Sequence, residues 1–201
     1  LTINSTSRYD RSDVSEGSIL FVYTSPSILS ILETLIEWKM KTGYYVHKVC
    51  TENTGNTTVQ IREYIQELYN NDENPPDYVC LVGDTEDSFG IPTYYEYYSS
   101  TSVHGDHPYT LLAGDDIFPE VMIGRLPINS VTELAVIVNK IISYETNPPI
   151  DSDWFDRIVL VGDPSDSGTS TISTMNYIAN IYEEYNPESQ LNEIFDYPFP
   201  S

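Results

Sequence analysis

The chain alternates between runs that are apolar throughout and amphipathic segments with the period of a helix. The first apolar run, 18–24, is followed by Ser25-Pro26, where serine can cap a helix and proline fits its first turn. Gly43 ends this predicted helix. The helix carries a single apolar stripe, formed by Ile28, Leu32, Leu35, Ile36 and Met40.

The same alternation continues up to residue 84. A second strand is predicted at 44–50 and is followed by a polar turn at 51–56. The next helix has an apolar face, formed by Ile61, Ile65 and Leu68. A third strand, 77–82, ends in Gly83-Asp84. This order predicts an α/β fold with a parallel-type sheet flanked by helices, and apolar strands fit burial of both sheet faces.

Between residues 85 and 119 the pattern gives way to a stretch rich in Tyr, Gly and Asp. It predicts a long excursion with short hairpin pieces, and loops of such length are often functional or held by a metal. Apolar order returns at 121–125. A further helix is predicted from Ser130 to about Tyr144, opened by a capping box between Ser130 and Glu133.

A second strand–helix unit is predicted from a strand at 157–161 and a helix at 172–185, with another strand beginning at 193–195. The sequence at 160–163, Leu-Val-Gly-Asp, repeats that at 81–84. Asp84 and Asp163 thus follow buried strands, at the edge where open α/β sheets place ligand sites. The alternatives are that each aspartate only caps its loop, or that the two together form a flavodoxin-like site if their strands share one sheet.

The charge balance excludes some partners. With 31 acidic and 9 basic residues the net charge is −22, which repels nucleic acids and anionic membranes and attracts divalent cations. No apolar run is long enough for membrane insertion. The first residues do not resemble a signal peptide, and we expect both ends to be cuts within a longer protein.

The cysteines and histidines predict no nucleophile–base pair. Cys50 and Cys80 lie in apolar runs, as buried structural cysteines do. His104-Gly105 lies in the polar excursion with no strand before it, and His107 fits a surface turn better than a shared metal site. His47 is predicted within a strand, in a structural role.

Five runs, in their order and spacing, resemble the gingipain family of cysteine peptidases. They are spread across roughly residues 18–185. The runs are Ile36-Glu37-Trp38-Lys39 with Gly43-Tyr44, Tyr78–Asp84 with Ile91-Pro92, Ala113–Asp116 through Val121–Leu126, Ile141–Glu145, and Trp154.

The resemblance implies a catalytic domain of two α/β halves with caspase-like architecture. Residues 1–17 would be a lead-in, 18–125 a complete first half, and 126–201 a connecting helix and the beginning of the second half. In this family a His-Gly pair and a nucleophilic Cys follow later strands, so both would lie beyond residue 201. The parent would be a cysteine endopeptidase acting on protein substrates, and this chain alone would be inactive. The alternative is a non-catalytic relative that serves in binding or surface assembly.

The resemblance also assigns roles to residues of the second unit. The acid that orients the catalytic histidine would be Asp163, with Asp166 a weaker candidate. The pocket for the residue before the cut would include Thr171, where arginine-specific members carry an acid. A hydroxyl cannot neutralise a buried guanidinium, so arginine specificity is not expected.

The resemblance finally implies calcium and an extracellular location. Asp116 and Glu120 would supply carboxylates, and Ala113 and Phe118 backbone carbonyls, a mixture of oxygen ligands that calcium accepts. The ion would be structural; the alternative is an acidic turn without a metal. The parent would be secreted or on the cell surface.

Overall fold

The computed structural model describes residues 16–98, 101–147, 156–162, 170–188 and 190–195. The chain divides into two compact units, 1–147 and 148–201. The first unit contains the strands β1 Ser18–Tyr23, β2 Tyr45–Cys50, β3 Tyr78–Val82, β4 Tyr94–Tyr98, β5 Thr101–Gly105 and β6 Met122–Leu126, and the helices α1 Leu29–Lys41, α2 Thr51–Thr54, α3 Thr58–Asn71 and α4 Val131–Thr146. The second contains β7 Arg157–Gly162, α5 Ser170–Tyr185 and β8 Gln190–Phe195.

The main sheet is parallel and has the strand order β2-β1-β3-β6. Residues of β1 alternate between two apolar clusters, one on each face of the sheet. The first cluster packs Phe21 against Leu32 and Leu35 of α1 and Leu134 of α4. The second packs Leu20 and Val22 against Ile61 and Ile65 of α3, together with Tyr109 and Leu112. The predicted α/β class, with helices covering a parallel sheet, is confirmed.

Both serines predicted as helix caps, Ser25 and Ser130, accept a capping hydrogen bond, but the details differ from the prediction. The Ser25 hydroxyl accepts from the Ser27 amide at 3.2 Å and caps a 3-10 turn, Pro26–Ile28, which leads directly into α1. The Ser130 hydroxyl accepts from the Glu133 amide, but the Glu133 carboxylate accepts from the Asn129 amide. The predicted box at Ser130 is therefore only half formed, because the glutamate reaches one residue further back.

A complete capping box, which the sequence analysis did not identify, opens α3. Thr57 and Gln60 each accept a hydrogen bond from the other's backbone amide. The preceding segment, predicted as a polar turn, contains the single helical turn α2, whose C-cap is Gly55 with a φ of 88°. The short helix forms because β2 runs directly into it and Gly55 can adopt the left-handed conformation that ends it.

The excursion between β3 and β6 contains the predicted hairpin. Strands β4 and β5 pair antiparallel, with Tyr94 opposite Gly105 and Tyr98 opposite Thr101. A short 3-10 turn, His107–Thr110, follows. The segment contributes Ile91, Tyr109 and Leu112 to the core, and all three are at most 1% exposed.

A polar contact fastens α4 to α1. The Glu145 carboxylate accepts from Trp38 Nε1 at 2.5 Å and from Lys39 Nζ at 2.6 Å. Burial raises the pKa of Glu145, but the hydrogen bonds from Lys39 and Trp38 outweigh it and hold the pKa below its usual value. Helix α4 therefore packs within the first unit. The division of the catalytic domain after residue 125 stays a prediction.

The second unit contains the predicted strand–helix–strand series. Strands β7 and β8 are parallel, with Leu160 opposite Glu193, and Leu160 and Ala179 are its buried apolar residues among those described. In the described part of the chain, no helix is long and apolar enough to cross a membrane.

Candidate functional site

Asp84 follows β3 at the carboxyl edge of the main sheet, and its carboxylate caps the adjoining loops. One oxygen accepts from the Thr85 amide at 2.7 Å and the other from Asn129 Nδ2 at 3.2 Å. Strands β3 and β7 belong to different sheets, so Asp84 and the position after Gly162 do not follow strands of a common sheet. This arrangement removes the condition for a flavodoxin-like site. Asp163 and Asp166 lie outside the described residues.

The most extensive polar network at this edge is centred on Arg125, which the sequence analysis placed only at the end of a strand. Its guanidinium forms two parallel hydrogen bonds of 2.8 Å to the Asp106 carboxylate. Its remaining nitrogen donates to the backbone oxygens of Gly83, Asp84 and Ile91, at 2.8–3.0 Å. One side chain thus joins β6, the loop after β3 and the excursion.

Asp106 completes this network. Its carboxylate also accepts from the Thr93 hydroxyl at 2.9 Å. Burial raises the pKa of Asp106, but the hydrogen bonds from Arg125 and Thr93 and the Arg125 charge hold it below its usual value. A bidentate arginine–carboxylate pair, 12% and 21% exposed, is a rigid joint. The sequence signal was only the pair Gly124-Arg125 within a run that resembles the family.

The histidines are engaged in structural contacts. His47 lies in β2 and is 3% exposed, and its Nε2 lies 2.8 Å from the Asn74 carbonyl. The His104 ring packs edge-on against Tyr95, with centroids 4.5 Å apart. His107 Nε2 lies 3.1 Å from the Ile117 carbonyl. Among the described residues no group of three or more His, Cys, Asp or Glu side chains could hold a metal ion.

Neither thiol is arranged as a nucleophile. Cys50 is buried and its Sγ donates to the Thr24 carbonyl at 3.4 Å. Cys80 lies inside β3 between Phe21 and Gly124 of the neighbouring strands. Burial raises the pKa of the Cys80 thiol to about 12, against the opposing charge of Lys39. A thiol with this pKa stays protonated at neutral pH, and the thiolate is the reactive form.

The loop predicted to bind calcium is closed at its neck by its own side chain. Glu120 Oε2 accepts from the amides of Leu112 and Ala113, at 2.6 and 3.1 Å. Further along, Asp116 Oδ1 accepts from the Phe118 amide at 2.9 Å. Each carboxylate thereby uses one oxygen in the loop, and no hydrogen bond among the described residues engages the other. Residues 113–119 are exposed. The oxygens that remain are of the type that calcium accepts.

In the second unit, Thr171 lies in the first turn of α5 and is half-buried. The start of this helix packs close to the carboxyl end of β7. A Cβ at Gly162 would lie 2.7 Å from Ile172 and 3.1 Å from the Phe195 ring. Side chains from the start of α5 and from β8 therefore pack closely against the end of β7. The substrate-pocket role of Thr171 stays a prediction.

Comparison with known proteins identifies relatives over nearly the whole chain. The family model described as Peptidase family C25 matches residues 14–200. Gingipain R2 of Porphyromonas gingivalis is 27% identical over 185 residues, 89% of this chain and 24% of the relative. Lys-gingipain of the same organism is 26% identical over 186 residues, 89% of this chain and 10% of the relative. The chain thus spans a quarter or less of these relatives.

Solved structures share the fold. The crystal structure of an Arg-specific cysteine proteinase, gingipain R, matches with a TM-score of 0.73 and 24% identity, over 90% of this chain and 41% of that one. A complex of the pro- and mature domains of a P. gingivalis gingipain matches with a TM-score of 0.73 and 25% identity, over 89% and 42% of the two chains. The caspase-like architecture expected from the sequence is confirmed.

Proposed function

Because the chain belongs to Peptidase family C25, we propose that its parent polypeptide is a cysteine endopeptidase whose catalytic His and Cys lie beyond residue 201. The observation that carries this proposal is the match of the family model across residues 14–200. Cysteine peptidases need a thiolate beside an imidazole and a group that orients that imidazole. The parent's substrates would be proteins.

The two thiols of this chain support placing the nucleophile elsewhere. Cys50 donates its hydrogen bond to a backbone carbonyl, and burial raises the pKa of Cys80 to about 12. All three histidines of the chain are described, and no hydrogen bond among the described residues joins any of them to either thiol. The role of this chain would then be to supply the scaffold and one wall of the substrate pocket.

We expect the isolated chain to be inactive, and the parent to keep its activity when either cysteine of this chain is replaced. The measurement is kcat/KM on a panel of fluorogenic peptides for the parent and for its Cys50→Ala and Cys80→Ala variants, with active sites titrated by iodoacetamide. A fall in kcat/KM of a hundredfold or more in either folded variant would contradict the proposal. A parent with no activity and no alkylatable catalytic thiol would instead favour the non-catalytic binding or assembly role.

Within the proposed site, Thr171 would line the pocket for the residue before the cut and Asp163 would orient the imidazole. A pocket with threonine in place of an acid leaves a bound guanidinium without a partner, which costs several kcal/mol. The parent would therefore disfavour arginine at this position, unlike the relative whose structure is named as Arg-specific. We also propose a secreted or cell-surface location, on family membership alone.

Calcium is proposed as a structural ion of the loop 113–120. Asp116 and Glu120 would each offer their second carboxylate oxygen, and Ala113 and Phe118 their backbone carbonyls. When bound, the ion would supply positive charge to an exposed acidic loop that has little apolar content of its own. The hydrogen bonds of Glu120 at the loop neck support the ligand positions, because they hold the two ends of the segment together.

Calcium should raise the melting temperature by about 4 °C at roughly ten times the dissociation constant, because the ion binds only the folded loop. Asp116→Ala should abolish this shift. Asp115→Ala is the matched control, since it removes the same charge from the neighbouring exposed position and should keep the shift. The measurement is thermal unfolding with calcium and with chelator. Identical curves for the unmodified chain under both conditions would disprove the site.

A further inference from the structure

We propose that Asn56 is an acceptor for an N-linked glycan. The triplet Asn56-Thr57-Thr58 has the Asn-X-Thr pattern that oligosaccharyltransferases recognise. It forms the link between α2 and α3, where Gly55 ends one helix and Thr57 caps the next. The inference rests on the secreted location proposed above, but not on peptidase activity.

The hydroxyl groups of Thr57 and Thr58 differ in their hydrogen bonding. The Thr57 hydroxyl is committed to the start of α3: it accepts from the Gln60 amide at 3.3 Å and donates to Gln60 Oε1 at 2.9 Å. The backbone carbonyl of Thr58 accepts from the Tyr94 hydroxyl at 3.1 Å, and among the described residues no hydrogen bond engages the Thr58 hydroxyl. The hydroxyl that the transferase requires, two residues after the asparagine, is therefore the one that helix capping does not use.

Asn56 itself is available. The residue is exposed, and within the described part of the chain no hydrogen bond engages its side chain. A glycan there would extend into solvent without displacing a packed group. The other triplet of this pattern, Asn4-Ser5-Thr6, lies outside the described residues.

The reaction joins Asn56 Nδ2 to the anomeric carbon of an oligosaccharide carried on a polyprenyl pyrophosphate. The bond between that carbon and the phosphate oxygen breaks, and the pyrophosphate leaves with the electron pair. One proton of the amide nitrogen passes to a base of the transferase. No change of redox state occurs.

The test is secretion of the chain from yeast behind a host signal peptide. Trypsin cleaves after Lys48 and Arg62, so Asn56 and Asn4 fall in separate peptides. Digestion with peptide-N-glycosidase in heavy-oxygen water converts a glycosylated asparagine into labelled aspartate, which mass spectrometry locates. We expect the label at Asn56 in the secreted protein.

The variants separate the glycan acceptor from the helix cap. Asn56→Gln and Thr58→Ala should lose the label completely, and Thr58→Ser should retain it. Thr57→Ala, which removes the cap but keeps the triplet, should also retain it. Secreted protein with unmodified Asn56, or equal loss of the label in Thr57→Ala and Thr58→Ala, would overturn the proposal. Neither result would bear on the peptidase proposal, because the assay measures no proteolysis.

Discussion

Arg125→Ala should lower the free energy of unfolding by about 3 kcal/mol, near the lower end of what loss of one partner costs a buried ion pair. The substitution removes both bonds to Asp106 and leaves three backbone carbonyls without this donor. It also leaves the partly buried Asp106 carboxylate without its positively charged partner. The partial exposure of the pair, 12% and 21%, places the expected loss at the lower end. Urea unfolding followed by circular dichroism measures it.

Lys140→Ala is the control for this experiment. It removes the same positive charge, but Lys140 is exposed on α4, and the free energy of unfolding should change by less than about 0.5 kcal/mol. Arg125→Lys should recover only part of the loss, because an ammonium group cannot reproduce the bidentate fork. Equal stabilities of Arg125→Ala and Lys140→Ala would refute the structural role of the network.

The same ion pair predicts a dependence on acid. Because the pKa of Asp106 is lower in the folded protein than its ordinary value of 3.8, its contribution is complete above that value and is lost as the pH falls through the folded pKa. Asp106→Asn lacks this titration. The difference in unfolding free energy between the unmodified chain and Asp106→Asn should therefore shrink as the pH is lowered from neutral to about 2. A difference that does not change with pH would contradict the assignment.

Gly83→Ala should destabilise the first unit by about 3 kcal/mol, through overpacking at the end of β3. The added Cβ would lie 2.0 Å from the Phe89 carbonyl oxygen, and backbone cannot swing away as the end of a side chain can. Two hydrogen bonds restrict movement of the loop after β3 away from the added Cβ. Gly83 donates to the Leu126 carbonyl at 3.0 Å, and the Ile91 amide donates to Asp84 at 2.7 Å.

Gly124→Ala is the matched control, in β6 of the same sheet. A Cβ at this position meets no atom within 4 Å, so the free energy of unfolding should change by less than about 0.5 kcal/mol. Thermal and urea unfolding of the two variants compare the sites directly. If Gly83→Ala unfolds at the same urea concentration as Gly124→Ala, the loop after β3 is not packed as described.

Much of the fold could be read from local pattern. The run 18–24 is apolar from Ile19 to Tyr23 and contains β1, whose residues pack on both faces of the sheet. Ser25-Pro26 correctly marked a helix start. The box at Ser130 was only half right, because glutamate can reach either of two neighbouring amides and local sequence does not choose between them.

The candidate site was less predictable from sequence. The Asp84 side chain was left open between capping and ligand binding, and its bonds to Thr85 and Asn129 show a capping role. The calcium ligands, Thr171 and Asp163 came from family resemblance and stay predictions. No periodicity marks such residues, because a polar side chain in a loop leaves the same pattern whether it binds an ion, caps a turn or faces water.

The sequence by itself determined the α/β class, the order of the elements and most of the core. Apolar strands and amphipathic helices bury their apolar surfaces by packing the helices against both faces of one sheet. The tertiary structure alone decided which polar groups meet. Arg125 binds Asp106, 19 residues away, and the carbonyl of Gly83, 42 residues away; Trp38 binds Glu145 across 107 residues. Such pairs depend on how the sheet and its loops come together in space, which neither hydrophobic period nor local propensity encodes.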